Sequence, residues 1–162
     1  MSSEVVEFLK TLKEKITIYT DGACSKNPGP GGWGAVFVDS DIHIACNGFE
    51  EKTTNNRMEM MAAIEALYIV FKNTPNLCVD LYTDSQYLKD GITSWIKKWR
   101  TNNWLTSAGA PVKNQDLWMK LDELTQKLKI NWHWVKGHDG NQYNEIADTF
   151  ARNAIIGGVI KR

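Results

Sequence analysis

The chain has 162 residues, and its 19 lysines and arginines balance 19 aspartates and glutamates, so the formal net charge is zero and the pI is near 6.8. That length buries one continuous core without disulfides or a structural metal, and the neutral balance excludes recognition of a polyanion by bulk charge. Three cysteines, Cys24, Cys46 and Cys78, are an odd number without metal-type spacing, and they read as reduced core fillers in a reducing compartment.

Residues 3–13 carry Val5, Phe8, Leu9 and Leu12 at helical spacing, which predicts a short amphipathic helix in an N-terminal extension, residues 1–14. Its glutamates and lack of arginine argue against a transit peptide, and no apolar run reaches membrane-spanning length. Residues 16–21 alternate with period two and predict strand one, with a turn over residues 27–32, the Asn-Pro-Gly-Pro-Gly-Gly cluster. Two further strands, 33–38 and 42–49, flank Asp39-Ser40-Asp41, predicting an antiparallel meander. Residues 57–71 are almost wholly apolar apart from Glu59 and Glu65, the composition of a helix buried on most sides. A strand over 77–83 ends at Asp84, helical stretches run on through Trp104 and over 114–128, and the last strand covers 130–135. Ile146, Ala147, Phe150, Ala151, Ala154 and Ile155 predict a closing helix from about Tyr143, stopped by Gly157-Gly158. The sum is an α/β mixed sheet with helices on its faces.

Tyr19-Thr20-Asp21-Gly22 and Tyr82-Thr83-Asp84-Ser85 each set an aspartate at a strand end, where open α/β sheets build their sites. Either aspartate alone is explained as well by capping a turn or a helix, but parallel neighbouring strands would set the two side by side. Glu59 lies one turn into its apolar helix with little access to solvent, so it needs a partner; attraction to the helix dipole is the competing account. Ala62, Ala63 and Ala66 give that helix a small-residue flank able to approach the sheet, whereas Glu65 points elsewhere and reads as solvated. Asp148 lies off the apolar stripe of the last helix, where a polar-face reading competes. Carboxylates converging in one cleft repel one another and call for a divalent cation, and hard oxygen donors suit Mg²⁺ or Mn²⁺. His138 sits in a glycine-flanked loop, a surface residue or, at the rim of such a cleft, a proton carrier.

Taken together, Thr20-Asp21-Gly22, Asn55-Asn56-Arg57-Met58-Glu59, Thr83-Asp84-Ser85-Gln86, Val135-Lys136-Gly137-His138 and Asn144-Glu145 with Asp148 closely resemble the type 1 ribonuclease H family in its bacterial, ribonuclease HI-like form. The resemblance spans about residues 15–154. It includes the 27–32 cluster, Trp95, Trp99, Trp104 and Pro111-Val112-Lys113-Asn114 in order. It implies a ribonuclease H-like fold, a five-stranded mixed sheet in the order 3-2-1-4-5 flanked by helices, in a catalytic domain of residues 15–156 followed by a tail, 157–162. It also implies Asp21, Glu59, Asp84 and Asp148 as ligands of two Mg²⁺ ions, with Mn²⁺ able to substitute, and His138 assisting proton transfer or product release. The implied reaction is endonucleolytic hydrolysis of the RNA strand of an RNA–DNA hybrid, leaving 5′-phosphate and 3′-hydroxyl ends without sequence specificity. A cytoplasmic monomer with no membrane partner is the corresponding expectation.

Telling a hybrid from other duplexes requires reading 2′-hydroxyls on one strand across a shallow minor groove. The resemblance casts Cys24, Asn27, Asn55, Asn56 and Gln86 as contacts to the RNA strand and Thr54 as near a DNA phosphate; as residues alone, the asparagines also suit turns and caps. Trp95, Trp99 and Trp104, interleaved with Lys97, Lys98 and Arg100, suit a surface for sugars and phosphates or, at helical spacing, core packing; at least one is expected to be mainly structural. Residues 101–111 contain no lysine or arginine where better-known bacterial relatives carry a dense basic protrusion, which predicts weaker hybrid affinity and a shallower salt dependence. The alternatives are a nuclease of the same superfamily acting on DNA, argued against by Asn55, Asn56 and Gln86, and a non-catalytic hybrid-binding module, argued against by the intact carboxylate set.

Overall fold

A computed structural model describes residues 2–136 and 141–160. The chain begins with α1 (Ser2–Lys10) and then lays down β1 (Lys15–Cys24), β2 (Gly29–Asp39) and β3 (Ile42–Thr53) as an antiparallel meander. Helix α2 (Asn55–Asn73) crosses back to β4 (Cys78–Thr83), which pairs parallel with β1. Next come α3 (Gln86–Asp90), a π-helical turn (Gly91–Trp95) and α4 (Ile96–Thr101) as one bulged helical run, then α5 (Gln115–Lys127). Strand β5 (Lys129–Trp134) pairs parallel with β4, and α6 (Gln142–Ile160) closes the fold. The sheet order β3-β2-β1-β4-β5 is the expected one.

Alternation along β1 sends Ile16 and Ile18 to one face, where they join Phe37, Val79 and Leu81 beneath the buried residues of α2, Met60, Ala63, Leu67 and Val70. Trp118 of α5 is fully buried in the same core, and Val5 and Leu9 of α1 extend it, so the N-terminal helix packs against the body of the domain. The opposite face is smaller: α6 covers β1, β2 and β3, and Ala147 sits among Tyr19, Val36 and Val38. No helix among the described residues is long and apolar enough to cross a membrane.

Four expectations about element limits are corrected. The 27–32 cluster is not all turn, because Gly31 and Gly32 pair with Cys24 and Ala23 and lengthen the hairpin. Bare glycine backbone tolerates the crowding there, with Thr53 and Ala151 pressed against it. Strand β1 likewise continues three residues past Asp21. The helical run after β4 stops at Thr101, and Trp104 lies beyond it in a left-handed conformation (φ 60°). Finally, Gly157 and Gly158 do not end α6: a Cβ on Gly158 would lie 2.2 Å from the ring of Phe49, so only glycine fits there. The second glycine serves close packing of helix on β3 instead of a C-cap. The three cysteines are free, with Cys46 buried and Cys24 and Cys78 half-buried.

Candidate active site

The site arises where two ladders part. Register between β1 and β4 holds through Tyr19 and Tyr82, after which β1 stays with β2 as far as Cys24 while the β4 segment turns away at Asp84. Asp21 and Asp84 occupy equivalent steps beyond the last parallel pair, on either side of the opening. The third wall is α2, whose first turn comes unusually close to β1: a Cβ on Gly22 would lie 2.3 Å from the backbone nitrogen of Glu59. Only glycine fits there, and Glu59 is thereby brought over the strand.

Asp21, Glu59 and Asp84 each offer a carboxylate oxygen within 4.8 Å of the others. Asp21 and Glu59 are buried at 7% and 6% exposure, and Asp84 is half-buried. The Gly22 N–H donates to Asp21 Oδ1 at 2.9 Å and also to Glu59 Oε1. Burial pushes Asp21 from an ordinary 3.8 up to about 7; the Asp84 charge and the contact with Asp148 act in the same direction, while Glu59 and the Gly22 N–H oppose it. Burial also holds Glu59 well above its usual range, reinforced by its hydrogen bond with Asp21 and by the charges of Asp21 and Asp84. Among the described residues the Gly22 N–H is shared between Asp21 and Glu59, which leaves the three acids short of compensating positive charge.

Asp148 comes from α6 and lines the same cleft of about 440 Å³ with Asn55, Asn56, Ser85, Gln86 and Tyr87. It stands outside the tight trio, and its Oδ2 accepts from Arg152 Nε at 3.1 Å. Thr54 caps α2 by accepting the Arg57 N–H at 3.2 Å, and Asn27 Oδ1 accepts the Asn55 N–H at 3.0 Å, tying the 25–28 turn to the start of α2. The Cys24 thiol donates into the same turn, to the Lys26 carbonyl at 2.6 Å. Cys24, Asn27 and Thr54 thus shape the lip of the cleft, while Asn55, Asn56 and Gln86 stand inside it. His138 lies outside the described residues.

Trp95, Trp99 and Trp104 are placed elsewhere, in a chain of aromatic contacts around buried Trp118 with ring centroids 5.6 to 6.4 Å apart. All three are half-buried and pack on the main core, so each has a structural part. Lys97 and Lys98 are exposed, whereas Arg100 is held by Asp122. Glu65 is not simply solvated: it is half-buried between α2 and α5, and desolvation raises its carboxyl while Lys120 pulls it down. Sequence reasoning overlooked Gly22 as a donor and Tyr87 as a wall. It also missed the bidentate Arg57–Asp116 pair, 3.0 and 2.8 Å, which with the Arg57–Asn114 bond of 3.1 Å fastens α2 to α5. The adjacency of Arg57 to Asn55 and Asn56 was visible, but its partner lies 59 residues away.

An open mixed sheet whose parallel ladder parts over a cleft lined by four carboxylates defines an α/β protein with an acidic site suited to a cation. The chain belongs to the RNase H family, whose model, described as RNase H, matches residues 13–156. It is 52% identical over 149 residues to a ribonuclease H of Ehrlichia ruminantium, covering 91% of this chain and 99% of that one. It is 54% identical over 141 residues to a ribonuclease H of Bradyrhizobium diazoefficiens, covering 87% and 90%. Among solved structures, LC9-RNase H1, described as a type 1 RNase H with the type 2 active-site motif, superposes with a TM-score of 0.79 at 30% identity, covering 90% of this chain and 74% of that one. LC11-RNase H1 in complex with an RNA/DNA hybrid shares the fold, with a TM-score of 0.67 at 22% identity over 90% of this chain and 99% of that one.

Proposed function

We propose that this chain is a divalent-metal-dependent endonuclease that hydrolyses the RNA strand of RNA–DNA hybrids, leaving 5′-phosphate and 3′-hydroxyl ends without sequence specificity. The observation that carries it is the convergence of Asp21, Glu59 and Asp84 within 4.8 Å in a cleft that also presents Asn55, Asn56 and Gln86. The ribonuclease H names of relatives more than half identical support the same reaction.

The donors present fit a hard cation. The clustered donors are carboxylate oxygens, and among the described residues that line the cleft there is no lysine, arginine or histidine. Asp21, Glu59 and Asp84 would hold Mg²⁺, with Asp148 completing a two-ion site and Mn²⁺ as a substitute. When bound, the ions supply an activated water and neutralise charge at the leaving 3′ oxygen. The protein's own part is positional. Gly22 N–H fixes the facing oxygens of Asp21 and Glu59, and the Thr54 cap with the Arg57–Asp116 pair sets the turn that carries Glu59. Asn55, Asn56 and Gln86 offer amides to ribose 2′-hydroxyls, with Cys24 and Asn27 shaping the approach and Thr54 near the DNA backbone. His138 carries a proton to or from the departing product. Some of Trp95, Trp99 and Trp104 offer a surface on which sugars of the hybrid pack, at least one being mainly structural, and the protein works as a cytoplasmic monomer.

The test compares labelled RNA–DNA hybrid, RNA duplex and DNA duplex, each with Mg²⁺ or EDTA, for wild type and Asp21→Asn. Cleavage of the hybrid RNA alone, dependent on both Mg²⁺ and Asp21, is expected. Equal cutting of duplex DNA would favour a DNA nuclease of the superfamily, and hybrid binding without cutting a non-catalytic module.

A further inference from the structure

A second, smaller recess of about 160 Å³ opens on the other side of Asp84, between α3 and the end of β5. Asp84, Ser85 and Gln86 line both hollows, so the two share a wall. Its chemistry is the reverse of the acidic cleft: Lys89 from α3 and Lys136 after β5 face it, with Trp134 as its apolar side. Lys89 is half-buried, and among the described residues neither Lys89 nor Lys136 has an ion-pair partner. Two ammonium groups beside the one carboxylate of Asp84 leave the lining with an excess of positive charge, which favours an anion there. Asp90 of α3 accepts from the Gln86 amide at 2.9 Å. The volume is well below the roughly 300–1,000 Å³ of pockets that enclose whole ligands, which suits one phosphodiester group and not a nucleoside.

We propose that this recess is a phosphate subsite for the cleaved strand, in which Lys89 and Lys136 hold the backbone of the RNA next to the scissile bond. The proposal rests on the hybrid-nuclease reading above. It commits to the RNA strand because Gln86 and Asp84 border both hollows, so the strand that crosses the carboxylates is the one that continues into the recess. It also answers a deficit, since residues 101–111 carry no lysine or arginine and phosphate contacts must come from elsewhere.

The experiment measures KM and kcat on short hybrids bearing one neutral methylphosphonate linkage, moved stepwise along the RNA in one series and along the DNA in the other. Wild type should show a KM about five-fold higher for one RNA linkage flanking the cut, with kcat little changed. The Lys89→Ala/Lys136→Ala double variant should raise KM on the all-phosphate hybrid by a comparable factor, flatten the salt slope by about one to two, and no longer sense that linkage. Lys89→Arg should retain the wild-type pattern, and Lys120→Ala on the outer face should match wild type. A wild-type KM in the double variant, undiminished sensitivity to the RNA linkage, or sensitivity confined to the DNA series would overturn the subsite while leaving the nuclease reading intact. Failure of wild type to cut any hybrid would overturn both.

Discussion

Replacing Asp21 by asparagine should abolish hybrid cleavage and at the same time make the metal-free protein more stable. In the native fold Asp21 binds its proton near pH 7, against 3.8 for a solvated aspartate. Between those values the folded chain holds more protons than the unfolded one, so wild-type stability falls as pH rises through the window. The rise corresponds to about 4 kcal/mol once pH exceeds the folded value, and to about 2 kcal/mol at pH 5. Asparagine is neutral throughout and keeps an acceptor for the Gly22 N–H, so it escapes this penalty. For a chain of this size the gain at pH 8 is worth roughly 8–16 °C in Tm, shrinking towards zero at pH 3. Thermal unfolding in EDTA, followed by circular dichroism from pH 3 to pH 8.5, reads the difference directly, and added Mg²⁺ should then raise the Tm of wild type more than that of the variant. A variant no more stable than wild type at pH 8, or a gap that does not close on acidification, would refute the view that unpaired carboxylate charge is stored in this cleft.

Glu59→Gln should lose at least about 10²-fold in kcat while circular dichroism and the unfolding transition remain those of a folded protein, since the amide fills the same space. Gly22→Ala should destabilise by about 2–4 kcal/mol in urea unfolding, because the new methyl meets the backbone of Glu59 at 2.3 Å and α2 must shift. Asp116→Ala should lower stability by no more than about 1 kcal/mol, as an exposed pair does, yet raise KM through a looser α2 start; an unchanged KM would show that the latch is structural only. His138→Ala should lower kcat by roughly 10²-fold near neutral pH without a matching change in KM, a steady-state comparison that tests its proton-carrying role.

The sequence determined much of this architecture because its strongest signals are local. Period-two alternation around Ile16 and Ile18, the apolar run of α2 and the spacing of Ala147, Ala151 and Ala154 reflect which face each element must bury, and burial is a one-dimensional pattern. Asp21, Glu59 and Asp84 were recognisable for a related reason: two acids follow matching strand patterns, and one sits where its neighbours leave no route to water. What the pattern could not carry were contacts between distant segments. That β1 outruns Asp21, that Gly158 yields space to Phe49 instead of capping a helix, and that Trp104 leaves the helical run all depend on what lies opposite in space. The same holds for the Arg57–Asp116 latch, for the raised protonation of Asp21, and for the two lysines that meet behind Asp84. Charge balance and close packing are properties of neighbours, and only the tertiary fold decides who the neighbours are.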